Sequence, residues 1–166
     1  MRMSPLKAGT KAPEFTLTGI DGTSRSLSHG DGEPTLLTFF KNTCPTCLLT
    51  FPFLQRLHER VAGAPLRFWG ISQDSVAETR VFGEEFGLTF PLLPDDPGYP
   101  VSNAYGLANV PTLFLVDAGG TIALTTVGFS RADLEALATE FRRRFRIPGV
   151  TPLFVEADNA PVMRPG

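Results

Sequence analysis

Two cysteines separated by only two residues are the feature that most limits what this chain can fold into. Residues 44–47 read Cys-Pro-Thr-Cys, and these are the only two cysteines among 166 residues. The apolar run at residues 35–40 precedes the pair, and the helix-compatible residues 48–51 follow it. Because a proline just after a strand is typical of the first turn of a helix, we expect strand, cysteine pair and helix to follow one another directly.

This order has a chemical consequence for the sulfurs. Both would lie at a helix N-terminus, where unpaired backbone N–H groups and the macrodipole favour a negative charge. A thiol in that position loses its proton more easily and becomes the nucleophile of thiol–disulfide exchange. The residues therefore favour a redox-active dithiol.

Two other interpretations of the cysteines stay open from the residues alone. They form half of a zinc site, or they are an inert buried pair. Zinc needs about four ligands, or three and a water, and the only histidines, His29 and His58, lack ligand spacing. We expect no metal and no cofactor.

The composition is that of a soluble globular protein. Hydrophobic residues make up 42% and charged residues 19% of the chain, and 14 phenylalanines indicate a strongly apolar core. The net charge of -2 gives no sign of a nucleic-acid or anionic-membrane partner. No stretch approaches the roughly 18 to 20 apolar residues of a membrane span. With no apolar signal region near the N-terminus, we expect a cytoplasmic protein.

Apolar periodicity and turn residues predict alternating strands and helices. After an extended arm, a hairpin is expected around Asp21 and Gly22. The predicted strands are residues 15–18, 23–27, 35–40, 66–72, 89–93 (at an edge), 112–116 and 121–127. The predicted helices start after the cysteines and run to about Val61, cover residues 76–86 and 101–105, and begin after a Ser130 cap.

These elements predict an α/β fold with a central mixed β-sheet, helices on both faces and an N-terminal β-hairpin extension. We assign residues 1–146 to this domain and residues 147–166 to a proline-rich C-terminal tail. The tail has no helical period, and it either packs through Leu153, Phe154 and Val155 or is loose.

Four features in order resemble the thioredoxin superfamily over about residues 10–146. They are the Cys-Pro-Thr-Cys motif after a buried strand, Pro52 five residues after Cys47, the Val110-Pro111-Thr112 sequence before another strand, and a final hairpin and helix. The N-terminal phrase at residues 9–17 and the Gly-Ile-Ser-Gln-Asp run at residues 70–74 resemble the redoxin and peroxiredoxin-like branch (alkyl hydroperoxide reductase/thiol-specific antioxidant). That branch includes thiol–disulfide reductases of bacterial cytochrome maturation. The resemblance implies a thioredoxin-like fold.

The resemblance also implies a thiol–disulfide oxidoreductase and a role for each site residue. Cys44 would attack the disulfide of a partner, and Cys47 would resolve the mixed disulfide. Pro45 and Thr46 would tune the pair, a cis Pro111 would lie against the cysteines, and Val110 would offer its backbone to an extended substrate. The implied partner is a disulfide-bearing protein or a small thiol or disulfide, with an unidentified upstream reductant.

Two positions depart from relatives that carry a carboxylate near the cysteines. Thioredoxins have a buried carboxylate where Thr38 stands, and some cytochrome-maturation reductases have a glutamate where Thr50 stands. The sequence therefore shows no local proton acceptor for Cys47. Lys41 is a remote group that would be able to modulate the pair.

Two alternative functions follow from the same superfamily. A thiol peroxidase would use Cys47 or Cys44 as the peroxidatic thiol. Its pattern is P-x-x-x-T-x-x-C, and aligning Cys47 with the final cysteine puts Cys44 in place of the threonine and Phe40 in place of the proline. A binding or chaperone module would not need both cysteines, and no histidine near Pro111 supports copper delivery.

Overall fold

The computed structural model describes residues 4–147 and 152–166. Its elements follow the predicted alternation of strands and helices. The strands are β1 (Phe15–Thr18), β2 (Ser24–Leu27), β3 (Thr35–Phe40), β4 (Arg67–Ser72), β5 (Leu92–Pro94), β6 (Thr112–Val116), β7 (Ile122–Val127), β8 (Phe129–Ser130) and β9 (Met163–Arg164). The helices are α1 (Pro45–Arg60), α2 (Val76–Glu85), α3 (Pro100–Ala104) and α4 (Arg131–Phe145), with a 3-10 turn at Glu156–Asp158.

A five-stranded mixed sheet forms the centre, in the order β5-β4-β3-β6-β7. Strands β5, β4 and β3 are parallel, while β6 and β7 are antiparallel to their neighbours. All six residues of β3 are buried, as expected for a central strand covered on both faces. The mixed α/β architecture predicted from the sequence is confirmed.

Alternation along the strands divides the core between the two faces of the sheet. Leu36 and Phe40 of β3 join the cluster that α1, α2 and α4 cover, whereas Leu37 and Phe39 join the opposite cluster. That second cluster is covered by α3 and by the β1–β2 hairpin. Helices therefore lie on both faces, and the hairpin completes the smaller layer.

Helix α1 is the element that carries the cysteine motif. It continues to Arg60 with Pro52 inside it. Phe51, Leu54 and Leu57 are almost completely buried against the sheet, which agrees with their helical spacing. Since β3 ends at Phe40, only four residues separate the central strand from the first turn of α1.

Strand β5 and the tail are the elements whose details the sequence did not predict. The predicted strand at residues 89–93 is displaced, because only Leu92–Pro94 pair with β4 and Pro91 precedes the ladder. In the tail, Leu153 and Phe154 are buried while Val155 is 44% exposed. The tail also contributes β9, which pairs with β8. Residues 1–3 of the predicted arm and residues 148–151 of the tail lie outside the described ranges.

Candidate active site

Cys44 forms the N-cap of α1, with φ −90° and ψ 112°, and Pro45 opens the helix. The backbone N–H of Cys47 donates to the Cys44 sulfur across 3.3 Å. This is the N–H that the first turn of a helix leaves without a backbone acceptor. The half-buried Cys44 sulfur therefore occupies the place where a capping group accepts.

The loop before β6 lies directly against Cys44. The Cys44 thiol donates to the carbonyl oxygen of Val110 across 3.2 Å. The Val110-Pro111 peptide bond is cis, as the resemblance to thioredoxins implied. Pro111 is buried and Val110 is half-buried, so of these two residues Val110 lies nearer the surface beside the sulfur.

Cys47 differs from Cys44 in its environment. It is completely buried within the core cluster beneath α1. Burial raises the pKa of the Cys47 thiol far above its usual range, and the Cys44 sulfur and the charge of Asp74 add to that rise. A hydrogen bond with the Lys41 backbone partly offsets it. Both cysteines are free thiols, so the site is in its dithiol form.

The two residues between the cysteines have different surroundings. Pro45 is exposed, whereas Thr46 is only 4% exposed. The Thr46 hydroxyl donates a 2.7 Å hydrogen bond to the carbonyl oxygen of Pro165. The C-terminal tail therefore reaches the cysteine motif, a contact between residues far apart in the chain that local sequence patterns do not predict.

The threonines at the two departing positions are buried and hydrogen-bonded to the backbone. Thr38 donates to the carbonyl oxygen of Trp69 at 3.0 Å, and Thr50 donates to that of Thr46 at 2.6 Å. Neither hydroxyl is a base at neutral pH. The expectation that these positions supply no proton acceptor agrees with the geometry.

Asp74 is a site residue that the local sequence patterns do not indicate. Its side chain is 5% exposed and accepts a 2.8 Å hydrogen bond from the backbone N–H of Asn42, two residues before Cys44. Desolvation raises the pKa of this carboxyl above its usual range, and Glu78 and Asp96 act in the same direction, whereas the Asn42 N–H and Lys41 lower it. A buried carboxyl whose charge acts on Cys47 is a candidate proton acceptor.

A signal for Asp74 was present in the sequence. It follows the strand at residues 67–72, which is parallel to β3. The carboxyl ends of adjacent parallel strands meet at one edge of a sheet. The residues after β4 must therefore lie beside the loop that leads from β3 to Cys44.

The positions aligned with a peroxidase site hold different groups. Phe40 is completely buried, and its ring lies 4.5 Å from that of Phe51 and 4.7 Å from that of Phe82. This position is therefore part of the apolar core beneath α1. Cys44 supplies a thiol where a threonine hydroxyl would stand.

None of the helices of the described residues combines the length and the hydropathy needed to cross a bilayer.

Comparison with known proteins places these features in a family context. The sequence model of the AhpC/TSA family matches residues 8–125. The thiol-disulfide oxidoreductase ResA of Geobacillus kaustophilus (strain HTA426) is 30% identical over 130 residues, which is 76% of this chain and 74% of ResA.

Two solved structures are also similar. A candidate protein disulfide isomerase from Bacteroides thetaiotaomicron superposes with a TM-score of 0.80 at 26% identity, covering 88% of this chain and 95% of that one. A candidate thiol:disulfide interchange protein DsbE from Chlorobium tepidum gives a TM-score of 0.75 at 28% identity, covering 84% of this chain and 99% of that one. Both likenesses extend well beyond the cysteine motif.

Proposed function

We propose that Cys44 and Cys47 carry out different steps of the reaction of this chain, which belongs to the AhpC/TSA family and is a thiol–disulfide oxidoreductase. Cys44 attacks the disulfide of a partner, and Cys47 resolves the mixed disulfide that forms. The observation that carries this assignment is the asymmetry of the two sulfurs. Cys44 caps the helix and is half-buried, whereas Cys47 is completely buried beneath it.

The attacking step uses the surroundings of Cys44. Its thiolate bonds to one sulfur of the partner disulfide, and the second partner sulfur leaves as a thiolate and takes up a proton. The Cys47 N–H already donates to the Cys44 sulfur, a contact that a thiolate keeps and that is stronger with a charged acceptor. The cis-proline loop places the Val110 backbone beside the new mixed disulfide.

The resolving step closes the cycle. The Cys47 sulfur attacks the Cys44 sulfur, the bond between Cys44 and the partner breaks, and the partner leaves as a second thiolate. The partner gains two electrons and two protons in all, and the enzyme holds a Cys44–Cys47 disulfide. An external dithiol or small thiol then returns the enzyme to the form seen here. Since attack requires a thiolate, Cys47 must lose a proton that its burial holds tightly.

Asp74 is the proposed acceptor of that proton. Its buried carboxyl lies at the edge of the sheet where β3 leads into the cysteine motif, fixed by the Asn42 N–H. A carboxylate with a raised pKa is a better base at neutral pH than an exposed one. Its negative charge and that of the Cys47 thiolate also oppose each other, so one proton shared by the pair is the favoured state.

The substrate class is a disulfide carried by a protein, with small disulfides as a second class. The evidence for a protein partner lies in the names of the relatives and in the position of the Val110 backbone beside Cys44, which suits an extended segment. Peroxide reduction is ranked second, because Phe40 and Cys44 replace the proline and threonine of that pattern.

The test pairs the wild type with Cys44→Ser and Cys47→Ser variants in insulin disulfide reduction, with dithiothreitol as reductant. Both variants should lose turnover, and Cys47→Ser should accumulate a mixed disulfide through Cys44 that mass spectrometry identifies. A parallel assay follows hydrogen peroxide consumption. If Cys44→Ser still consumes peroxide rapidly and still forms adducts, Cys47 is the attacking thiol and the assignment is wrong.

The cytoplasmic location expected from the sequence stays a prediction, and we propose that the chain works there with both cysteines reduced. Fractionation of cells that express the tagged chain, followed by thiol labelling, tests it. Recovery in the envelope with an oxidised pair would contradict it.

A further inference from the structure

The last residues of the described tail lie over the surface formed by Cys44, Thr46 and Val110, which we call the groove. Strand β9 pairs antiparallel with β8, with Arg164 opposite Phe129 and Met163 opposite Ser130. The residue before β8, Gly128, donates its N–H to the carbonyl oxygen of Pro111 at 2.8 Å. The tail is therefore added as a strand next to the cis-proline loop.

Two contacts bring the tail onto the site itself. The Pro165 carbonyl accepts the hydrogen bond from Thr46, inside the cysteine motif. Gly166 packs so closely on Val110 that a β-carbon at this position would collide with the Val110 carbonyl oxygen. That same oxygen accepts from the Cys44 thiol. The tail thus covers the Val110 carbonyl group, which in the proposed mechanism lies beside the bound partner.

The beginning of the described tail is firmly held. Phe154 packs on Phe53 with ring centroids 4.4 Å apart. Arg56 makes a bidentate ion pair with Asp158 at 2.8 and 2.9 Å. The carboxylate of Glu135 accepts the backbone N–H groups of residues 153 and 154. This part belongs to the core.

The end of the tail is held much more weakly. Val162 and Met163 are 74% and 70% exposed. Besides the short β8–β9 pairing, residues 160–166 are held by Arg131, which bonds the carbonyl oxygens of residues 160 and 162, by Thr46, and by backbone packing on Val110 and Gly128. A segment with few buried contacts opens at low free-energy cost while its anchor stays folded.

We propose that residues 160–166 form a displaceable strap that occupies the position of the partner polypeptide beside Cys44. A protein partner reaches Cys44 only when the strap lifts from Thr46 and Val110, whereas a small disulfide reaches the half-buried sulfur past it. The inference rests on the proposed function, since it assigns the groove to a protein substrate. The strap and an extended partner would bind in the same way, because both would add a strand beside the cis-proline loop.

The test compares the full chain with a variant that lacks residues 163–166. The removed residues include no buried side chain, so Phe154 and the Arg56–Asp158 pair remain. A full-length Met163→Gly, Arg164→Gly variant weakens β9 by raising its backbone entropy. Val155→Ser, at an exposed position outside the strap, is the matched control.

Two reagents of different size measure access to Cys44 without catalysis. If the strap covers the groove most of the time, loss of the strap should speed alkylation by a polyethylene-glycol maleimide at least about fivefold, and alkylation by iodoacetamide less than about twofold. The Val155→Ser variant should match the wild type with both. Equal acceleration with both reagents, or none, overturns the strap.

Insulin reduction then separates the strap from the proposed function. Turnover should rise in both strap variants if the strap competes with the partner, and a fall would make the strap part of the binding surface and overturn the proposal. If the alkylation rates change as expected but no variant reduces insulin, the proposed function fails and the strap stands as a cover of the groove.

Discussion

The backbone N–H of Asn42 holds the carboxylate of Asp74 at 2.8 Å, so a buried acid stands beside the loop that carries Cys44. The side chain is 5% exposed, and its charge acts on Cys47. This pairing joins the carboxyl ends of two parallel strands, since Asn42 follows β3 and Asp74 follows β4. It supplies the acidic group that Thr38 and Thr50 do not.

Replacing Asp74 by asparagine should slow the resolving step. The Asp74→Asn side chain keeps an oxygen for the Asn42 N–H but does not accept the Cys47 proton, so we expect the mixed disulfide to decay on the order of 10- to 100-fold more slowly. Rapid quenching and mass spectrometry of the adduct give that rate. The Asp133→Asn variant, at an exposed position in α4, is the control and should decay at the wild-type rate. Normal decay in Asp74→Asn would remove Asp74 from the mechanism.

The same substitution should change how stability depends on pH. The pKa of Asp74 is raised above its ordinary 3.8, so above that pH the folded state holds a proton that the unfolded chain releases. The free energy of unfolding therefore falls as pH rises from about 3.8 through the folded-state pKa. Relative to wild type, Asp74→Asn should gain stability over that window, measured by urea unfolding at pH 4.5 and pH 8. A gain that is larger at pH 4.5 would contradict this sign.

Truncating Phe154 should destabilise the whole domain. Its ring is 6% exposed and contacts those of Phe53 and Phe129. Phe154→Ala leaves a cavity and should cost about 3 kcal/mol of unfolding free energy, measured by urea denaturation. The neighbouring Val155→Ala, at a 44% exposed position, should change it by less than about 0.5 kcal/mol. Equal small effects would mean that the tail is not part of the core.

Acid should release the tail through Asp158. Its pKa is lowered from 3.8 to about 2, first by the hydrogen bond with Arg56 and then by the Val155 N–H. A lowered carboxyl pKa stabilises the folded form above pH 3.8, and this contribution is lost as pH falls toward 2. Amide exchange at residues 153–155 should therefore accelerate over that range, relative to the rate for unstructured chain at each pH. Asp158→Asn should show fast exchange already at pH 7, whereas Glu156→Gln should not.

The sequence predicted those parts of the site that depend on local patterns. Strand β3 is a continuous apolar run, the proline after Cys44 opens α1, and the Val110-Pro111 loop precedes an apolar strand. Each is encoded within about ten neighbouring residues, which is the range over which propensity and hydrophobic periodicity act.

The remaining parts depend on contacts between distant residues. Asp74 lies two residues before α2, yet Ser75 caps that helix, and the Asp74 carboxylate accepts from the distant Asn42 N–H instead. The strap has no hydrophobic period, so its path is fixed by its pairing with β8 and by its contacts with Arg131, Thr46 and Val110. Strand β5 begins at Leu92 because its register is set by β4, whose Gly70 accommodates the Leu92 side chain.

The strap is covalently joined to the groove that it covers, so its occupancy does not depend on protein concentration. A segment tethered by about ten residues meets its site at an effective concentration on the order of millimolar. A partner present at micromolar concentration must then bind the groove on the order of 1000-fold more tightly than the free strap sequence does to displace half of it. The chain would thereby set a minimum affinity for its own substrates, and proteins that collide with Cys44 without a matching surface would leave before their disulfides exchange.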